Sequence, residues 1–277
     1  MNNYHIIGLN ELDEYYYNNK SLKNSCHITI DDGDLTFYKN GFPIIKKFNI
    51  PVSMYVSPLM ATESKNFWFQ EIRGYDALKL GEILALETNY ELDHQGIGEI
   101  KKFLKTLQID DILRIIKLYQ DKTATPPKIA MNMNEKQLIE VSNSGLVEIG
   151  AHTLNHPLLV NENDEVASYE ISESIDRLSS ILNKEIKYFV YPNGDYGERE
   201  ISILKSKGIR LAFTTERGKL SNQDNPLKIP RSGSPILSSF NNNKAYIFSK
   251  CLVQLMAGEN LYYKYANSWE SLVSKMR

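Results

Sequence analysis

Short apolar or β-branched runs recur at residues 26–30, 52–56, 146–150, 187–191, 209–214 and 227–229, with longer helical patterns between most of them. Strands that read as continuous apolar runs are covered on both faces, and connections long enough to hold a helix suit parallel pairing. The chain therefore reads as α/β, a parallel sheet wrapped by helices. Several polar residues with chemical potential fall just past the ends of these runs, where loops converge in parallel α/β folds while the strands hold them rigid.

The helix before the third strand, the run 146–150, is marked by Asn134 as cap, Gln137 three residues on, Leu138 and Val141 as an apolar stripe, and Gly145 as stop. Another stripe, Ile171, Ile175, Leu178 and Leu182, follows the histidine-bearing run. A helical insertion is expected over about residues 59–127, opening near Phe67-Trp68-Phe69, an aromatic trio that reads as core before it reads as a sugar platform. The 277 residues are read as a main domain over 1–235 and a C-terminal helical extension over 236–277, packed on it, with helices at 244–256 and 262–275.

Lys and Arg number 32 against 34 Asp and Glu, so no basic field would gather nucleic acid or an anionic membrane surface. No export signal and no transmembrane segment are legible, which leads to the expectation of a soluble, cytoplasmic protein. Cys26 and Cys251, far apart, suit a reducing compartment and are assigned no chemistry.

Two motifs carry the chemistry: Thr29-Ile30-Asp31-Asp32-Gly33-Asp34 ends one run, and His152-Thr153-Leu154-Asn155-His156-Pro157 ends another. One carboxylate with two imidazoles makes a three-ligand site for a divalent ion and leaves the neighbouring aspartate free as a base. That is apparatus for metal-assisted hydrolysis.

In this order the motifs resemble the polysaccharide deacetylase (NodB-homology, carbohydrate esterase) family, nearest its poly-N-acetylglucosamine deacetylase branch, over roughly residues 25–232. The resemblance implies a distorted (β/α) barrel over 1–235 and metal-dependent removal of an N-acetyl group from an amino sugar in surface-polysaccharide biosynthesis. It implies Asp31 as catalytic base, and Asp32, His152 and His156 as ligands of one divalent ion, Zn²⁺ or else Co²⁺, Ni²⁺ or Fe²⁺. Phe189-Val190-Tyr191-Pro192-Asn193-Gly194 resembles the branch's Tyr-Pro-x-Gly segment, which implies that the Asn193 N–H helps to hold the oxyanion. Val190 stands where many members carry an arginine that orients the base, so Arg231, at the end of the last run, is expected to supply the guanidinium to Asp31.

The general acid has no assignment. No histidine follows His156, and His27 would lie about 13 Å below Asp31 on an even strand. His5 follows a tyrosine as in the branch's permuted members but stands too near the first motif for their extra strand, while His94 lies in the insertion. The partner implied is an N-acetylated sugar or glycan. The alternatives are a metal-containing glycan-binding domain with weak or no catalysis, and a deformylase using the same site.

Overall fold

A computed structural model describes residues 5–91, 96–218 and 220–231. In chain order the strands are β1 (His5–Ile6), β2 (Ser25–Cys26), β3 (Thr29–Asp31), β4 (Val52–Val56), β5 (Val147–Ala151), β6 (Tyr188–Val190) and β7 (Leu211–Phe213). The helices are α1 (Leu9–Tyr17), α2 (Phe42–Phe48), α3 (Pro58–Thr62), α4 (Trp68–Glu71), α5 (Ala77–Glu87), α6 (Ile97–Leu104), α7 (Ile109–Thr123), α8 (Glu135–Asn143), α9 (Asp164–Leu182) and α10 (Glu198–Ser206). Strands β3 to β7 pair in parallel and in sequence order, so each crossover sets the next strand beside the last. The sheet forms half a barrel surrounded by helices, and Ile229 adds a parallel bridge beyond it to Phe213.

Alternate residues of each strand go to different cores, as the two-residue period requires. Met54, Val56, Phe189 and Ala212 join the apolar stripes of α8 and α9 on the outer face. Tyr55, Tyr188, Val190, Leu211 and Phe213 turn inward, with Leu9 and Leu12 of α1. Gly150 makes room for Tyr55: an added Cβ would lie 2.5 Å from the Tyr55 ring and 2.7 Å from the Tyr188 carbonyl oxygen. The helix punctuation behaves as the residue types dictate. Asn134 accepts from the Gln137 N–H while Gln137 Oε1 accepts from the Asn134 N–H, both at 3.0 Å, and Gly145 follows α8 with φ +73°.

Two strand expectations change. The run 26–30 divides, because Ser25 and Cys26 pair with β1 whereas Thr29 to Asp31 pair with β4. The break falls where His27 turns its ring into the seam, Nδ1 at 2.8 Å from the Ile7 carbonyl oxygen and Nε2 at 2.8 Å from Ser53 Oγ. A strand does stand at His5–Ile6, despite its closeness to the first motif; a single short helix, α1, suffices to connect it to β2.

Between β4 and α8, helices α4 to α7 build a core of their own from Trp68, Leu80, Leu84, Ile100, Leu104, Ile112 and Ile115. Phe67 and Trp68 are buried, and Phe69 is partly buried. The segment returning from α7 is stitched to the acidic loop: the Leu35 N–H donates to the Met131 carbonyl at 2.8 Å and the Met133 N–H to the Gly33 carbonyl at 3.0 Å. The expected helices at 244–256 and 262–275 lie outside the described residues.

Candidate metal and active site

Asp31 ends β3, His152 follows β5, Asn193 lies just past β6, and Arg231 comes two residues after the Ile229 bridge, so all four sit at the C-terminal edge of the half-barrel. Their loops are bent by unusual backbone. Asp32 has φ +72°, Thr153 +61°, His156 +60° and Asn193 +59°, a left-handed region that non-glycine residues rarely enter and that gathers at functional sites. Side chains outside the ligand set hold the histidine loop in this shape. Glu170, buried on α9, accepts from the Leu154 N–H at 2.9 Å, the Asn155 N–H at 2.8 Å and Asn155 Nδ2 at 2.7 Å. Thr153 Oγ1 accepts from the His156 N–H at 3.1 Å, and Ser57 Oγ donates to the His152 carbonyl at 2.8 Å.

Asp32, His152 and His156 come together, with Nε2 of each histidine 3.6 Å from Asp32 Oδ1. Donors about 2.0–2.2 Å from a tetrahedral ion stand about 3.4 Å from one another, so this spacing fits one ion. The chemistry of the donors fits as well. His152 Nδ1 donates to the Val190 carbonyl at 2.7 Å, which leaves the lone pair on Nε2 and provides the second-sphere anchor that metal-binding histidines use. Asp32 is partly open, yet its Oδ1 is buried and has no hydrogen-bond partner among the described residues. Burial raises the Asp32 carboxyl, with His152 opposing and Asp31 and Asp34 adding to the rise. Burial, and then the neighbouring His152, hold His156 well below the usual imidazole value. A carboxylate short of positive charge beside an imidazole kept neutral is a donor set that a cation completes.

Asp31 points into a different partnership. Arg231 Nη1 donates to Asp31 Oδ1 and Nη2 to Oδ2, each at 2.8 Å, while Nε donates to the Thr214 carbonyl at 2.9 Å and Nη1 to Thr29 Oγ1 at 3.1 Å. A bidentate fork inside a partly buried pocket fixes the carboxylate in plane as well as in charge. Burial would raise the Asp31 carboxyl, but the Arg231 bonds and charge, aided by His152 and His156, outweigh it and hold the group below the ordinary carboxylate value. Asp31 is thus an ionised, oriented carboxylate beside the three candidate metal donors.

The other histidines are placed elsewhere. His5 is exposed, 3.5 Å from Glu11, and His94 lies outside the described residues. His27 has both ring nitrogens engaged in the seam, and burial lowers it from about 6.5 to about 4. With the ring neutral, Nδ1–H donates to Ile7 and Nε2 accepts from Ser53. Unfolded chains protonate this histidine as pH falls through about 6.5, folded chains only near 4, so stability present above the first value is lost across that window. At about 1.4 kcal/mol per unit the loss is about 3 kcal/mol. Urea unfolding from pH 7 to pH 4 should show that decline in the native chain and a shallower one in His27→Gln.

Sequence reasoning did not single out Glu170, Lys101 or Lys105. Glu170 carried a signal, a carboxylate on the apolar stripe shared by Ala167, Ile171 and Ser174. Lys105 gave none, although its Nζ donates to Asn193 Oδ1 at 2.5 Å and so ties α6 to the turn after β6.

The family model described as polysaccharide deacetylase matches residues 99–212, a span that holds His152 and His156. The poly-β-1,6-N-acetyl-D-glucosamine N-deacetylase of Staphylococcus aureus (strain MRSA252) is 23% identical over 227 residues, 82% of this chain and 60% of that protein. The enzyme of the same name from Staphylococcus epidermidis is 23% identical over 234 residues, again 82% of this chain and 60% of the relative. The chain thus spans about 60% of the length of the curated relatives it matches. Among solved structures, the Streptococcus pyogenes deacetylase PplD in complex with acetate superposes with a TM-score of 0.55 at 20% identity, covering 82% of this chain and 73% of that one. IcaB from Ammonifex degensii gives 0.54 at 19% identity, covering 82% and 76%. These two share the fold. The family model, the relatives and the half-barrel thus agree: residues 99–212 match the polysaccharide deacetylase model, and the fold is the one its solved deacetylase neighbours share.

Proposed function

We propose that this chain hydrolyses the N-acetyl group of an amino sugar in an N-acetylglucosamine glycan, using one divalent metal ion, Zn²⁺ or a similar ion. The observation that carries the reading is the adjacency of two arrangements: three neutral or anionic donors 3.6 Å apart across Asp32, and next to them an aspartate clamped by Arg231. The names of the curated relatives support the substrate class.

In this reading Asp32, His152 and His156 hold the ion, which supplies Lewis acidity toward a water and toward the acetyl carbonyl. Asp31 takes the proton from the attacking water. It suits the task because Arg231 keeps it ionised and aims its free lone pairs, each oxygen having one more to offer beyond the guanidinium bond. The Asn193 N–H, presented by a left-handed turn, stabilises the oxyanion. Lys105 holds the Asn193 side chain and with it the turn.

Elemental mass spectrometry of untagged, chelator-free protein should find about one zinc, cobalt, nickel or iron per chain, and His152→Ala with His156→Ala should abolish it. Acetate release from β-1,6-linked N-acetylglucosamine oligomers should follow the metal, vanishing with chelator and returning on reloading. Metal binding without acetate release would favour a glycan-binding domain instead, and release of formate from an N-formyl sugar in preference would favour a deformylase.

A further inference from the structure

Collapse of the tetrahedral adduct requires a proton on the departing nitrogen, since an amine anion is too poor a leaving group to go unaided. Among the described residues no histidine other than the two metal donors stands in the cleft, because His27 is committed to the seam and His5 to the exposed side of β1. The insertion brings another group there. Lys101 and Lys105 lie four residues apart on the C-terminal half of α6 and its cap, so they project from one face. Lys105 reaches Asn193 Oδ1. Lys101 Nζ lies 5.2 Å from the centre of the Phe69 ring, and that ring packs edge-on, at 5.1 Å, against the imidazole of His156. The Lys101 ammonium therefore stands over the aromatic wall of the metal donors, one helical turn from the residue that grips the oxyanion turn. It is partly buried and forms no ion pair or hydrogen bond among the described residues.

We propose that Lys101 is the general acid, donating its Nζ proton to the sugar nitrogen as the carbon–nitrogen bond breaks. The inference rests on the deacetylase reading and adds the one role that reading leaves unfilled. The oxyanion pair re-forms the carbonyl, the bonding pair of the broken C–N bond goes to nitrogen, and nitrogen takes the Nζ proton. Lys101 is left as a neutral amine and Asp31 as the acid that holds the proton from water. Exchange with solvent then returns Asp31 to carboxylate and Lys101 to ammonium, so water and amide have become acetate and amine. The surroundings favour release: burial, and then the like charges of Lys105 and Arg73, hold Lys101 below an ordinary lysine, with Asp32 pulling weakly the other way. An ammonium held below its ordinary value gives up its proton more readily than one left at that value.

Leaving-group dependence tests the assignment. Acetate release from a β-1,6-linked N-acetylglucosamine oligomer needs a proton on nitrogen, whereas 4-nitrophenyl acetate expels a phenolate that leaves without one. Lys101→Met and Lys101→Arg should each lower turnover of the amide about 10²- to 10³-fold. Ester turnover should fall less than about tenfold, by the loss of a neighbouring cation alone. Metal content and unfolding temperature should stay at the native values; if Met disturbs folding, Lys101→Gln takes its place. Retention of amide turnover in Lys101→Arg would overturn the proposal, because arginine keeps the charge but does not give up its proton; it would make Lys101 an electrostatic clamp. An equal loss on amide and ester would overturn it as well. Native protein that cleaves the ester but no N-acetylated sugar would reject the deacetylase reading itself, and Lys101's role with it, a result read before any variant is compared.

Discussion

Asp31→Asn is expected to lower acetate release by about 10³-fold while leaving one metal ion bound. The substitution keeps the shape of the side chain and removes its ability to take a proton. None of the three metal donors belongs to Asp31, and the anchors that aim them run through Val190, Thr153, Ser57 and Glu170. Metal content should therefore survive where turnover does not. Stability should fall, since the Asn amide sets N–H against one arm of the Arg231 fork in a partly buried site; retention of the Thr214 and Thr29 bonds should limit this to about 1–3 kcal/mol. Normal turnover in this variant would remove Asp31 from the chemistry.

Arg231→Leu should be the more damaging to the fold. It leaves the Asp31 carboxylate partly buried without its counter-ion, and breaking one side of such a pair costs about 3–5 kcal/mol. The double variant Asp31→Leu with Arg231→Leu should be less destabilised than the sum of the single changes, because it strands no charge, and the coupling read from denaturant unfolding should exceed about 1 kcal/mol. Arg231→Lys retains the charge but not the fork, so turnover should fall about 10- to 100-fold with the ion still bound, as expected when a base loses its fixed orientation. Additive single and double variants would reduce Arg231 to a surface ion pair. The arginine lies eighteen residues past Phe213, the end of β7, and two past Ile229, which returns to bridge Phe213. It meets Asp31 from the far end of the sheet because a curled half-barrel brings β3 and the segment beyond β7 toward each other.

Much of the site was legible because metal chemistry restricts residue type and spacing. Two histidines four apart and a doubled aspartate, each at the end of an apolar run, can be recognised without coordinates. The outer core was legible for a related reason: Val52–Val56 emerges as β4 at the bounds its composition indicates, and the Asn134 cap follows from local hydrogen-bonding alone. The split at His27 was hidden, since an uninterrupted apolar pattern does not disclose that two of its residues pair with one strand and three with another.

The sequence by itself determined the parallel α/β class, the types of the candidate metal donors and the order in which they arrive, because these depend on apolar periodicity and on what nitrogen and oxygen donors can do. Only the tertiary structure decided the left-handed turns at Asp32, His156 and Asn193, the bidentate geometry of the Arg231–Asp31 pair that the sequence led one to expect, and the reach of Lys101 and Lys105 over the cleft. Each of these joins residues far apart in the chain or requires backbone that local preference opposes, so each exists only once packing has covered the cost of holding it.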